Sequence, residues 1–116
     1  RHPLLRTTED GTVISRSYTG KTCRVVRTEW TNHFEQHPEE LKKFPEQGRA
    51  AAKAGVAHLG APDGTVVDIT KEFMPCGQGV GAIHELERAG DVVRSMVTEA
   101  ERTIDRLTSL KSSARR

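Results

Sequence analysis

The stretch that decides the fold is residues 86–107, LERAGDVVRSMVTEAERTIDRL. Seven of its positions are separated by alternating steps of four and three, which is the spacing of one face of an α-helix. These seam positions are Leu86, Gly90, Val93, Val97, Ala100, Ile104 and Leu107. The pattern predicts an amphipathic helix running from about Gly81 to Leu110, with Met96 beside the seam.

The predicted helix is long for a chain of 116 residues. About 30 residues of helix span about 45 Å, which exceeds the ~26 Å diameter of a domain of ~100 residues. We therefore expect part of the seam to dock onto another chain, although it could also pack along its own domain. The predicted interface with a partner helix consists of Leu86, Val93, Met96, Val97, Ala100, Ile104 and Leu107.

The first third of the chain carries strand and turn signals. Residues 12–16 and 21–27 are rich in β-branched residues and flank residues 17–20, which predicts a β-hairpin. A two-stranded ribbon alone is marginally stable in water, so we expect it to pack on another element. Residues 65–69 are a candidate third strand.

Two stretches between these strands favour short helices. Residues 29–44 are expected to be helical in two pieces, because Pro38 removes a backbone donor and Pro45 ends the second piece. The alanine-rich stretch 46–59 favours a helix that stops at Gly60. The fold class is therefore expected to be α+β, with an N-terminal β-hairpin, short helices and a long amphipathic C-terminal helix.

The expected organisation is one small domain over residues 12–110, between a basic N-terminal extension (1–11) and a basic tail (111–116). Apolar residues make up 34% of the chain, well below the ~45% of an average globular chain, so we expect a small core. No apolar run is long enough for a membrane span, although peripheral contact with a membrane complex stays compatible with the sequence. We expect an intracellular protein, in an organelle if Arg1 is a processed end.

Charge is unevenly distributed along the chain. Residues 1–27 and 102–116 each carry a net charge of +4, whereas residues 28–101 carry −6. Basic ends of this kind suit phosphate groups or acidic protein surfaces. The candidate nucleic-acid contacts are Arg16, Lys21, Arg24 and Arg27, with Tyr18 as a stacking ring.

Two glycine-containing motifs resemble phosphate-binding loops only in part. Residues 77–82 follow the pattern G-x-G-x-x-A, but no strand leads directly into them and none follows the predicted helix, so we interpret them as a flexible lead-in to that helix. Gly20, Lys21 and Thr22 end like a phosphate loop, but Ser15 stands where that loop needs glycine. Neither motif supports nucleotide binding.

Four side chains form the candidate metal set. His33 and His37 lie four apart on one helical face, and Cys23 and Cys76 could complete a tetrahedral site if their segments converge. The spacing fits no compact zinc module, so the sequence predicts no metal site and no cofactor. We expect two reduced thiols, although one disulfide between Cys23 and Cys76 is also compatible with the sequence. Cys76 and His84 do not make a catalytic dyad by their presence alone.

These observations predict a protein that is not an enzyme. The expected function is a non-catalytic accessory or scaffolding subunit of a larger assembly of protein subunits, docked through its long C-terminal helix. The alternative is a nucleic-acid-associated protein, such as a ribonucleoprotein component, that binds through its basic ends.

Overall fold

The computed structural model describes residues 2–115, so the predictions that rest on Arg1 and Arg116 lie outside the described residues. Two strands and three α-helices follow one another in the order β1 (Thr12–Ser15), β2 (Cys23–Val26), α1 (Glu29–Gln36), α2 (Glu46–Lys53) and α3 (Ala89–Ala114), joined by loops and short 3-10 turns. The structure is a mixed α+β fold with an N-terminal hairpin and a long C-terminal helix, which confirms the predicted fold class.

The described residues form two compact units. Residues up to His84 make up the N-terminal unit, and residues from Glu85 onward make up the C-terminal unit, which contains α3. The predicted N-terminal extension is not an unstructured arm, because its 3-10 turns Pro3–Arg6 and Glu9–Gly11 pack on a later turn, Gln78–Ala82.

The hairpin forms in the predicted place. Strands β1 and β2 are antiparallel, with Thr12 opposite Val26 and Ser15 opposite Cys23. The predicted third strand is wrong, because residues 65–69 form no strand and Val66 is 93% exposed. The backbone of this segment pairs with no strand. The Asp68 carboxylate instead accepts local hydrogen bonds from the backbone N–H and the hydroxyl of Thr70. Such a local side-chain bond competes with sheet formation.

The hydrophobic core is small and lies in the N-terminal unit. Tyr18, Val25, Ala51 and Val56 are buried at its centre, and Trp30 and Phe73 pack against them. The rings of Tyr18 and Phe73 stack with their centroids 4.8 Å apart. A turn residue, Tyr18, therefore supplies much of the core of the hairpin.

Buried polar side chains hold the rest of this unit together. Gln47, 1% exposed, donates to the Ser17 carbonyl at 2.7 Å and accepts from the Lys42 backbone N–H at 2.9 Å. Among the described residues, no buried side-chain nitrogen or oxygen lacks a hydrogen-bond partner. The hydrogen bonds offset the cost of burying polar groups in so small a core.

The helices end earlier than the sequence predicts. Helix α2 stops before Gly55, which has a φ of +71°, and the N–H groups of Gly55 and Val56 bond back to the carbonyls of Ala52 and Ala51. This is the Schellman arrangement, so Gly55 and not Gly60 provides the stop. A 3-10 turn, Pro38–Glu40, follows α1, and residues 41–44 are not helical.

Helix α3 begins at Ala89, eight positions after the predicted start. Residues 78–82 form a 3-10 turn and residues 83–88 are not helical. Gly81, the predicted start, packs closely on the Glu9 backbone, and glycine costs about 1 kcal/mol per residue in a helix, so the helix does not begin there. Leu86, a member of the predicted seam, consequently lies before the helix. No helix within residues 2–115 is apolar and long enough to cross a membrane.

Candidate functional site

A cavity of about 570 Å³ opens on the N-terminal unit beside α1. Its walls combine aromatic and aliphatic side chains with three groups that can carry charge. The lining residues are Glu29, Trp30, His33, Phe34, Ala54, Val56 and Lys71. We call this cavity the Trp30 pocket, and its volume falls within the range of small-molecule sites.

Helix α1 presents three of the pocket residues on one face. Its N-terminus is a reciprocal cap, in which the Thr28 hydroxyl accepts from the Thr31 backbone N–H and the Thr31 hydroxyl accepts from the Thr28 backbone N–H. The helix therefore starts at Glu29. Because positions three and four apart share a helix face, Trp30, His33 and Phe34 then point the same way.

The indole of Trp30 is fixed on two sides. Its Nε1 donates to the Ser17 carbonyl at 2.9 Å, and its ring meets the Phe34 ring edge-on at 5.1 Å. This part of the pocket wall is therefore preorganised, because the Ser17 carbonyl in the turn of the hairpin fixes the indole by a hydrogen bond.

Lys71 lies on the pocket rim, and its backbone is tied to the core by Tyr18. The Tyr18 hydroxyl lies 2.6 Å from the Lys71 carbonyl and 2.7 Å from Oγ1 of Thr28. Burial raises the pKa of Tyr18 to about 12, against the lowering effect of the Thr28 hydrogen bond, while the charge of Glu72 raises it further. The hydroxyl therefore stays neutral and joins α1 to the segment that carries Lys71.

Glu72, the next residue, is 6% exposed and binds His58 twice. Its carboxylate accepts from the His58 backbone N–H at 2.7 Å and lies 2.8 Å from His58 Nδ1. Since a carboxylate only accepts, Nδ1 carries the hydrogen of this contact. The pair does not line the Trp30 pocket, so these bonds explain how the segment after α2 is anchored. No sequence pattern indicates this pair, because His58 and Glu72 lie fourteen positions apart without a shared periodicity.

The four residues of the candidate metal set do not come together as a metal site. The rings of His33 and His37 stack with centroids 4.6 Å apart, and Nε2 of His33 is paired with the Glu40 carboxylate. Within residues 2–115, no group of three or more His, Cys, Asp or Glu side chains is placed to hold an ion. Cys23 and Cys76 are both free thiols.

Cys76 lies in an environment that does not favour a thiolate. Burial raises the pKa of its thiol; nearby Arg24 lowers it and Cys23 raises it. Its backbone N–H donates to the Arg24 carbonyl at 3.1 Å, beside an isolated bridge between Val25 and Pro75. Helix α3 begins thirteen positions after Cys76.

The candidate nucleic-acid residues have other contacts. Arg27 pairs with the Glu35 carboxylate at 2.7 Å, Arg24 donates to the Thr12 hydroxyl at 3.0 Å, and Lys21 lies 4.2 Å from the centre of the Phe44 ring. Arg16 is exposed. Tyr18 is only 3% exposed, so its expected role as a stacking ring is wrong.

One glycine in each of the two motifs allows close packing. A Cβ at Gly81 would lie 2.7 Å from the Glu9 backbone nitrogen, and a Cβ at Gly20, where φ is +85°, would lie 2.4 Å from that of Phe44. Gly81 is therefore required for packing on the N-terminal turns, a constraint that the interpretation as a flexible lead-in overlooked.

The residues of the predicted partner interface that lie in α3 are all exposed, and no side chain of α3 is buried. Leu86 is also exposed, ahead of the helix. What covers this face stays a prediction from the sequence.

Comparison with known proteins gives one informative likeness. No family model matches the chain, and no solved structure matches it. The chain is 32% identical over 112 residues to "Putative monooxygenase Rv1533" of Mycobacterium tuberculosis (strain ATCC 25618 / H37Rv). The match covers 92% of this chain but 29% of the mycobacterial protein, so the chain spans less than a third of that curated relative.

This likeness contradicts two of the sequence-based predictions. A relative named as a monooxygenase points to an enzyme, so the predicted non-catalytic scaffolding role and the prediction that the chain is not an enzyme are wrong. The likeness supports the nucleic-acid alternative no better than the scaffolding role. The chain is similar, over nearly its whole length, to part of a protein named as a monooxygenase.

Proposed function

We propose that this chain is part of a monooxygenase and that the Trp30 pocket belongs to the substrate site of that enzyme. The observation that carries the proposal is the 32% identity over 92% of the chain to a protein named as a monooxygenase. A monooxygenase transfers one atom of O₂ to its substrate and reduces the other to water, consuming two electrons and two protons. The electrons come from a reduced cofactor or reductant, which the proposal leaves unassigned.

The form of the Trp30 pocket supports a small organic substrate. Its volume of about 570 Å³ falls within the roughly 300–1,000 Å³ typical of small-molecule sites. Trp30, Phe34 and Val56 offer apolar surface, while Glu29 and Lys71 place polar groups at the rim. The substrate class that fits is a small molecule with an apolar or aromatic body and a few polar substituents.

The reaction class is tested with isotopically labelled oxygen. The protein is purified from its own cells under native conditions, so that any polypeptide joined or bound to it stays attached. It is then supplied with a reductant, ¹⁸O₂ and a panel of small aromatic and aliphatic compounds, and products are analysed by mass spectrometry. We expect one labelled atom in the product and one in water. Two labelled atoms in the product, or none with any compound, would overturn the proposal.

The pocket is tested by filling it. Ala54→Phe places a ring at the pocket wall, whereas Ala52→Phe places the same ring on an exposed position of α2 outside the pocket. We expect Ala54→Phe to raise KM about tenfold or more, because the added ring occupies the space of the substrate. The Ala52→Phe variant should keep the parent KM. Equal KM values for both variants would remove the Trp30 pocket from the substrate site.

A further inference from the structure

Helix α3 has a continuous apolar face that nothing in its own unit covers. Within this 26-residue helix no side chain is buried, and Val97 and Ile104 are 55% and 62% exposed. We define the apolar face of α3 as Val93, Met96, Val97, Ala100, Ile104 and Leu107. Proteins rarely leave so many large apolar side chains in one stripe open to water unless the stripe is an interface.

The opposite side of α3 is polar and behaves as a solvated surface. Arg94 pairs with the Asp91 carboxylate at 2.8 Å, and both side chains are more than half exposed. Thr98 and Asp105 are exposed on the same side, about 100° or more from the centre of the apolar stripe. The two faces are therefore distinct, and only the apolar face is suited to burial.

The comparison indicates where the covering surface comes from. The match covers 92% of this chain, and α3 makes up 26 of its 116 residues. Most of α3 must therefore lie inside the match. The matched stretch is 29% of the mycobacterial protein, so α3 is shared with a protein that has far more polypeptide to pack against.

A second copy of this chain is a poorer occupant. A stable pair of helices needs bulky side chains at successive seam positions, so that each fills a hole in the partner. Here Gly90 and Ala100 interrupt the seam, and Lys111 follows Leu107 at the next seam step. Small residues in the seam lower the apolar area that two copies of this helix would bury against each other.

We propose that the apolar face of α3 packs against the body of the monooxygenase, meaning polypeptide equivalent to the part of the mycobacterial protein that this chain does not match. This inference rests on the proposed function. The body presents an apolar surface to Val93, Val97 and Ile104, and α3 fastens the N-terminal unit with its Trp30 pocket to that body.

The test is site-specific photo-cross-linking in the natively purified protein. The photoreactive residue p-benzoylphenylalanine replaces Val97 or Ile104 on the apolar face, and Thr98 or Asp105 on the polar face as matched neighbours. After irradiation and digestion, cross-linked peptides are identified by mass spectrometry. We expect the apolar-face positions to give about tenfold more cross-link than the polar-face positions, because only packed atoms lie within contact distance.

The identity of the cross-linked peptide decides the proposal. Peptides that align with the unmatched part of the mycobacterial protein support it, whether they belong to the same polypeptide or to a separate one. Cross-links to a second copy of this chain overturn it, as do equal yields from both faces and peptides unrelated to the mycobacterial protein.

Introducing a charge on the apolar face gives an independent check, and it adds no large photoreactive group. Val97→Asp and Ile104→Asp should lower the yield of co-purified or protease-protected enzyme body several-fold, whereas Thr98→Asp should leave it unchanged. The labelled-oxygen assay separates the two proposals. Cross-links of the expected kind without labelled product would remove the monooxygenase function alone, and labelled product without those cross-links would remove the packing of α3 alone.

Discussion

The N-terminal unit and α3 use similar apolar residues in opposite ways. Val25 of β2 is 0% exposed and sits among Tyr18 and Val56, whereas Val97 of α3 is 55% exposed. The N-terminal unit closes its small core with hydrogen-bonded polar groups such as Gln47. Helix α3 contains no buried side chain. An apolar sequence pattern therefore predicts which face of an element is suited to burial, but it does not predict the surface that covers this face.

The largest expected effect comes from placing the same charge on each valine. Val25→Asp should destabilise the N-terminal unit by about 4 kcal/mol or more, because an unpaired carboxylate is buried in the core. Val97→Asp should change the stability of this chain by about 0.5 kcal/mol or less, because the side chain stays in water. Urea unfolding followed by Trp30 fluorescence and by far-ultraviolet circular dichroism measures both.

This pair of variants can break the comparison between the two regions. A loss of several kcal/mol in the isolated chain on Val97→Asp would mean that α3 is already packed within these 116 residues. The proposal that the enzyme body covers its apolar face would then fail as well.

A smaller effect is expected from the ionisation of Tyr18. Its pKa is raised from an ordinary value of 10.0 to about 12, chiefly by burial. A raised pKa means that the folded state favours the neutral hydroxyl, so this contribution to stability is complete below pH 10 and is lost as the pH rises towards 12. The loss is on the order of 2 to 3 kcal/mol.

The measurement compares the parent chain with Tyr18→Phe by urea unfolding between pH 8 and pH 12. The parent should lose stability steeply over the upper two pH units, and the variant should start less stable and lose less. Parallel curves would show that Tyr18 does not couple the core to pH. Because α3 contains no tyrosine, this dependence belongs to the N-terminal unit.

The smallest expected effect concerns glycines in the two regions. Gly90 lies in the first turn of α3, and a Cβ there would meet only the flexible end of Arg94, at 3.3 Å. Gly90→Ala should therefore stabilise the helix by up to about 1 kcal/mol. Gly81→Ala should instead destabilise the N-terminal unit, because its Cβ would lie 2.7 Å from the Glu9 backbone nitrogen. Thermal unfolding followed by circular dichroism gives both signs, and a gain in stability at Gly81 would contradict the packing described here.

The elements that sequence patterns predicted well are those with local causes. The hairpin formed in place because β-branched runs flank a turn, and the amphipathic helix formed because its repeat is periodic. The third strand failed at residues 65–69 because β-branched residues there had no partner strand, and the local Asp68 bond to Thr70 was available instead. The predicted start of α3 at Gly81 is wrong because Gly81 belongs to the 3-10 turn Gln78–Ala82, which packs on the N-terminal turns.

Most of the candidate site could not be predicted from the sequence. Trp30, His33 and Phe34 share a helix face that periodicity indicates, but Lys71 and Val56 reach the same pocket from distant positions. The burial of Gln47 could not be predicted either. Gln47 is a polar residue of α2, yet the structure buries it against the turn of the hairpin. The predicted scaffolding role erred for a related reason, because an exposed helix face is equally consistent with a piece of an enzyme that packs on the rest of it.

The hairpin and the amphipathic character of α3 follow from sequence patterns alone, since each depends on residues that lie close together in the chain. The uneven charge follows directly from the composition along the chain. The tertiary structure alone decided the Trp30 pocket, the contact of Tyr18 with the Lys71 carbonyl and the anchoring of His58 by Glu72. The physical reason is that each of these needs segments far apart in the chain to meet, and their meeting follows from how the buried surfaces fit rather than from any local preference of the residues.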